Sequence, residues 1–138
     1  IGDDKSKPYE NLLTDASLSK KVHFLGPRKD VASFMKSADL LIHPAREEAA
    51  GNIIIEALVS GLPSLVTSEV GFSTEVLKFR SGTVLEGEFN QNRFNLLLEE
   101  SVSDKNLFYI RSSISNLSDN KYFFSRFKFI ADFIEETF

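Results

Sequence analysis

The chain contains no cysteine. Disulfides, thiolate nucleophiles and cysteine-ligated zinc are thereby excluded, and the redox compartment is left undetermined. Histidine is scarce as well. His23 and His43 lie in separate strand-like runs far apart in sequence, which argues against a metal centre. No apolar run approaches the roughly 20 residues needed to cross a bilayer as a helix, and no secretory leader pattern is visible. A cytoplasmic protein is expected, with at most peripheral membrane contact. Positive charge is not in excess either. Sixteen Lys and Arg stand against twenty Asp and Glu, giving a net charge of −4 and a pI near 5.2. General nucleic-acid binding, which needs a basic face, is disfavoured.

What remains is an ordinary globular composition, 42% hydrophobic and 26% charged over 138 residues, the size of about one domain. There is no internal repeat and no low-complexity segment. The chain opens on Ile1-Gly2-Asp3-Asp4, which reads as the tail of a strand entering a turn, so the sequence is expected to start part-way through a fold.

Local patterning alternates strand and helix. Pro8 suits the first turn of a helix carrying Leu12, Leu13 and Ala16. Val22-His23-Phe24-Leu25 reads as a short strand closed by Gly26-Pro27. Asp30 is a candidate N-cap for a helix with Val31, Phe34 and Met35 on one face. Leu40 to His43 is the next strand, and Asn52 to Ser60 a helix stopped by Gly61-Leu62-Pro63. Further strands are expected at Ser64 to Thr67 and Gly82 to Leu85, with a short helical turn from Ser73 to Leu77 between them. From Asn92 the chain reads as all helix: Asn92 to Val102, a segment capped by Asp104, and Tyr122 to Phe138, whose Phe123, Phe127, Ile130 and Ile134 form a packing face. Apolar strands joined by helices through short links predict an α/β fold, a parallel sheet covered on both faces, of doubly wound Rossmann type. Ligands bind such sheets at the C-terminal ends of the strands.

At that edge, directly after a strand, stands Glu48-Ala49-Ala50-Gly51-Asn52-Ile53-Ile54-Ile55-Glu56, a Glu-x7-Glu element. One acid falls in the turn, the other on the first turns of the helix. A helix N-terminus presents unpaired N–H groups and a positive dipole end, suited to a phosphate. Carboxylates accept hydrogen bonds from hydroxyls but repel phosphate. The combination suits a ligand with an anionic centre flanked by hydroxyl-rich parts, as in a nucleotide-sugar.

The ordered set Val22-His23-Phe24-Leu25-Gly26, Asp30-Val31, Ser37-Ala38-Asp39-Leu40-Leu41-Ile42-His43-Pro44, Glu48, Glu56-Ala57, Gly61-Leu62-Pro63, Thr67 and Val70-Gly71 resembles the C-terminal domain of GT4 retaining glycosyltransferases of GT-B architecture. The wording His-Pro-Ala followed by Glu-Ala-Ala-Gly looks most like members that add a hexose to the lipopolysaccharide core. The resemblance implies a single truncated nucleotide-sugar-binding domain over residues 1–138. Residues 104–138 would form a helical tail packing back on an N-terminal Rossmann domain that lies outside this sequence. It implies transfer of a hexose, glucose by the closest wording, from a UDP-linked donor to a glycan or lipid-linked acceptor, with retention and no required metal or other cofactor. It gives Glu48 the catalytic position facing the donor sugar. The backbone of Ala50, Gly51, Asn52 and Ile53 would meet sugar and diphosphate oxygens, Glu56 the ribose hydroxyls, and Arg28 the nucleotide base. The family's diphosphate-neutralising Arg/Lys pair would precede Ile1, so this segment alone is expected to be inactive. Asn52 stands where many relatives carry an apolar residue, which leaves the sugar unspecified.

Plainer readings stand beside these. His43 reads as a structural histidine at a strand end, Glu75 as a helix-start acid and Glu47 as a solvated one. A non-catalytic nucleotide-sugar-binding or interaction module has the same donor signature. A flavodoxin-like signalling domain would need its acidic cluster at Asp3-Asp4, without the matching Thr and Lys at later strand ends.

Overall fold

The computed structural model describes residues 20–116. The chain divides into two compact units, Ile1–Val31 and Ala32–Phe138. In the described part of the first, residues 20–30 form no helix or strand, and Phe24 and Leu25 are 48% and 40% exposed. The strand expected at Val22–Leu25 is therefore corrected. An apolar run becomes a strand only when a neighbour satisfies its N–H and C=O groups, and no described strand pairs with this one. The elements expected at Ile1–Asp4, from Pro8 to Ala16, and from Tyr122 to Phe138 lie outside the described residues.

The main unit is built on α1 (Val31–Ser37), β1 (Leu41–His43), α2 (Asn52–Val59), β2 (Ser64–Thr67), α3 (Ser73–Lys78), β3 (Gly82–Leu85), α4 (Gln91–Ser101) and α5 (Asp104–Ser115). The three strands form one parallel sheet in the order β1-β2-β3, with Leu41 opposite Ser64 and Ser64 opposite Gly82. β2 is central, and all four of its residues are buried. Successive side chains on a strand point to opposite faces, and the packing shows both faces covered. Val66 joins Ile54 of α2 and Val76 of α3 on one side, whereas Leu65 joins Leu85 and Phe94 of α4 on the other. This is the doubly wound arrangement expected from the alternation of elements. Ile114 of α5 closes a third cluster with Ile55 and Leu58.

Helix α2 is held by a broad apolar face, Ile54, Ile55, Ala57 and Leu58, all buried. Its end follows from local chemistry. Gly61 at φ 76° is left-handed, its N–H donates to the Leu58 carbonyl at 3.2 Å, and the Leu62 N–H donates to Ala57 at 2.8 Å. These two bonds satisfy carbonyls that the helix leaves open, and Pro63 forbids continuation. One expected cap shifts and one keeps its place. Asp30 directly precedes α1, at the N-cap position, and its carboxylate also receives the Arg28 guanidinium at 2.9 and 2.8 Å. Ser103, one residue before Asp104, is the N-cap residue of α5.

Candidate functional site

The site residues sit at the C-terminal edge of the sheet, where the loop from β1 to α2 meets the loop from β2 to α3. The two loops are laced together beyond the strands. Glu48 forms an isolated parallel bridge with Val70. Its N–H donates to the Glu69 carbonyl at 3.2 Å, and its carbonyl accepts from the Gly71 N–H at 3.0 Å. The Phe72 N–H donates to Ala50 at 3.1 Å, and the Thr67 hydroxyl donates to the Ala45 carbonyl. The path of residues 45–50 is thus fixed by backbone pairing on a rigid strand end.

Gly51 is the N-cap residue of α2, at φ 71° and ψ 47°. It is buried, and a Cβ there would overlap Val70 Cγ1. What this glycine approaches closely is Val70, so packing and left-handed backbone together demand it. Among the described residues no side chain caps α2, and its first N–H groups lie at a positive dipole end. Ala50 and Asn52 are exposed, and Ile53 is partly buried against Ile54 and Val66.

The two acids have different surroundings. Glu48 is partly exposed, and its Oε2 lies 2.6 Å from Nε2 of His43, the last residue of β1. Glu56 is half-buried on α2, and burial raises its pKa. Its carboxylate has no hydrogen bond or ion pair among the described residues. Its carboxylate is thus open on one side to solvent or to the hydroxyls of a ligand. Glu75 is buried in the first turn of α3, where it accepts from the Thr74 hydroxyl at 2.7 Å. Among the described residues no three His, Asp or Glu side chains gather as a metal site.

Six of the seven expected site residues, Glu48, Ala50, Gly51, Asn52, Ile53 and Glu56, therefore share one loop–helix element. Arg28 belongs to the first unit, bound to Asp30. A cleft of about 460 Å³ opens at the same sheet edge, with Arg46 5.6 Å over the ring of Phe89 and Glu69 and Glu88 on its walls. Sequence reasoning missed both this cleft and the His43–Glu48 contact. The only sequence signal for the contact is an imidazole ending the strand that precedes the acidic loop.

Residues 1–116 match the family model described as glycosyl transferases group 1. The lipopolysaccharide glucosyltransferase WaaG of Escherichia coli (strain K12) is 36% identical over 107 residues, 78% of this chain and 29% of that protein. A D-inositol 3-phosphate glycosyltransferase of Corynebacterium urealyticum is 29% identical over 89 residues, 63% of this chain and 21% of its own length. The crystal structure of WaaG, a glycosyltransferase involved in lipopolysaccharide biosynthesis, matches with a TM-score of 0.82 at 33% identity, over 96% of this chain and 36% of that one. The chain thus spans between 21% and 36% of the length of these relatives. A family match covering residues 1–116, on a parallel sheet that shares the fold of WaaG, means that the chain belongs to the group 1 glycosyltransferases.

Proposed function

We infer that this chain is the donor-binding half of a retaining hexosyltransferase acting on a lipopolysaccharide-core or related glycan. The observation that carries this reading is the half-buried carboxylate of Glu56, without a partner among the described residues, beside the start of α2, with Glu48 on the preceding loop. A nucleoside-diphosphate sugar matches that order of groups. The ribose diol donates to Glu56, the diphosphate meets the N–H groups of Gly51, Asn52 and Ile53, and the sugar hydroxyls donate to Glu48. The name of WaaG, a lipopolysaccharide glucosyltransferase, supports glucose as the transferred sugar, and UDP-glucose is the donor of this reading.

In the reaction the bond from the anomeric carbon to the diphosphate oxygen breaks, and a bond to the acceptor oxygen forms on the same face. The acceptor proton passes to the departing diphosphate. The fixed dipoles at the α2 start favour the negative charge that develops there. Glu48 orients the ring and favours its partial positive charge. No metal is needed in this scheme, because the upstream cationic pair expected for the family neutralises the diphosphate. A cytoplasmic enzyme, held peripherally at the inner membrane face by its other domain, fits a lipid-linked acceptor. No helix among the described residues is long and apolar enough to cross a membrane.

Steady-state kinetics of the full gene product with UDP-glucose test the reading. Glu56→Ala should raise the donor KM about tenfold or more, the scale of one lost hydrogen bond to a charged group. Glu48→Ala should lower kcat and also raise the donor KM, because Glu48 holds the sugar hydroxyls. Unchanged kinetics in both variants would refute the assignment, and donor binding without turnover in the wild type would favour a non-catalytic module.

A further inference from the structure

We propose that His43 is a positioning residue for Glu48, an inference that rests on the donor-site reading above. The plainer view of His43 as a histidine satisfied within the fold does not account for where its bond goes. The carboxylate offers only lone pairs, so the proton of the 2.6 Å contact lies on His43 Nε2. The main chain of Glu48 is already fixed at both its N–H and its carbonyl by the β2–α3 loop. The imidazole therefore adds little to the path of the loop. What it fixes is the rotamer of the carboxylate.

The geometry suits that task. His43 ends β1 in register with Val66, on the rigid part of the scaffold, whereas Glu48 lies on the loop. A group anchored on a strand places its partner more closely than a loop alone does. One carboxylate oxygen, Oε2, is taken by His43, while Oε1 has no bond among the described residues. The two side chains are 23% and 38% exposed, so the pair is open to a ligand. Oε1 is thereby aimed, with its rotamer already restricted, at the hydroxyls of the transferred sugar. A charge-assisted bond of this kind also keeps the oxygen from turning into solvent.

The test is calorimetric titration of UDP-glucose and of UDP into the full gene product, as wild type, His43→Ala, His43→Gln and Glu48→Ala. UDP lacks the sugar and does not use Glu48. The expected result is about tenfold weaker UDP-glucose binding in His43→Ala, with UDP binding unchanged. Glutamine carries an N–H near the position of Nε2, so His43→Gln should recover most of the loss. Equal weakening of both ligands in His43→Ala, or no recovery in a folded His43→Gln, would make the contact merely structural and overturn the proposal. If Glu48→Ala weakens UDP-glucose and His43→Ala does not, the proposal fails while the donor site stands. If neither Glu48→Ala nor His43→Ala changes UDP-glucose binding, or the wild type binds neither ligand, the donor-site reading fails and the proposal with it.

Discussion

Burial raises the pKa of Glu56, and no donor among the described residues offsets the desolvation. The sign of the consequence is definite. A carboxyl whose folded pKa lies above its unfolded value binds more protons in the native state, so its stabilising contribution is lost as pH rises above about 4.5. Glu56→Gln should therefore raise Tm at pH 7 and lose that advantage below pH 4.5, as thermal melts across pH would show. Stabilisation coupled to weaker donor binding would mark Glu56 as a residue kept for its ligand. Gly51 has the opposite character, required by the fold itself. Gly51→Ala would have to adopt the left-handed region and displace Val70, which should cost at least about 2 kcal/mol in urea unfolding. Neither effect was fully legible beforehand. The helix-start position of Gly51 follows from its neighbours, but the clash with Val70 depends on the next strand's loop, which carries no local signal.

Elements were legible where local chemistry decides them. Gly82–Leu85 forms as read, and α2 ends at the Gly-Leu-Pro signal because left-handed backbone and proline act locally. Val22–Leu25 shows the limit, since a strand is defined by a partner that its own residues do not specify. The Glu48–Val70 bridge, which fixes the candidate site, is invisible in sequence for the same reason. Helix α3 ends with the same pair of bonds as α2, Arg80 N–H to Leu77 at 3.2 Å and Ser81 N–H to Val76 at 3.0 Å, but with Arg80 at φ 51° in the place of glycine. Arg80→Gly should relieve the left-handed strain and stabilise the fold by about 0.5–1 kcal/mol, read as a higher urea midpoint at constant slope.

At the scale of the whole molecule, the family model covers residues 1–116, while the relatives are several times longer than the stretch they share with this chain. The candidate site lies on one loop and one helix of the main unit, at the sheet edge where doubly wound folds bind ligands. That placement was readable from the order of elements, and the Glu-x7-Glu spacing falls on that loop and helix. The cleft carrying Arg46 and Phe89 was not readable, because it is assembled from the ends of three strands. The central claim is that Glu56 and Glu48 hold opposite ends of one nucleotide-sugar across the start of α2. A crystal structure of the full gene product with UDP-glucose tests it most directly. The ribose hydroxyls should lie about 2.5–3.0 Å from Glu56, with diphosphate oxygens on the N–H groups of Gly51 to Ile53 and the glucose on Glu48. A bound nucleotide whose ribose lies away from Glu56, with the α2 start left to solvent, would contradict it.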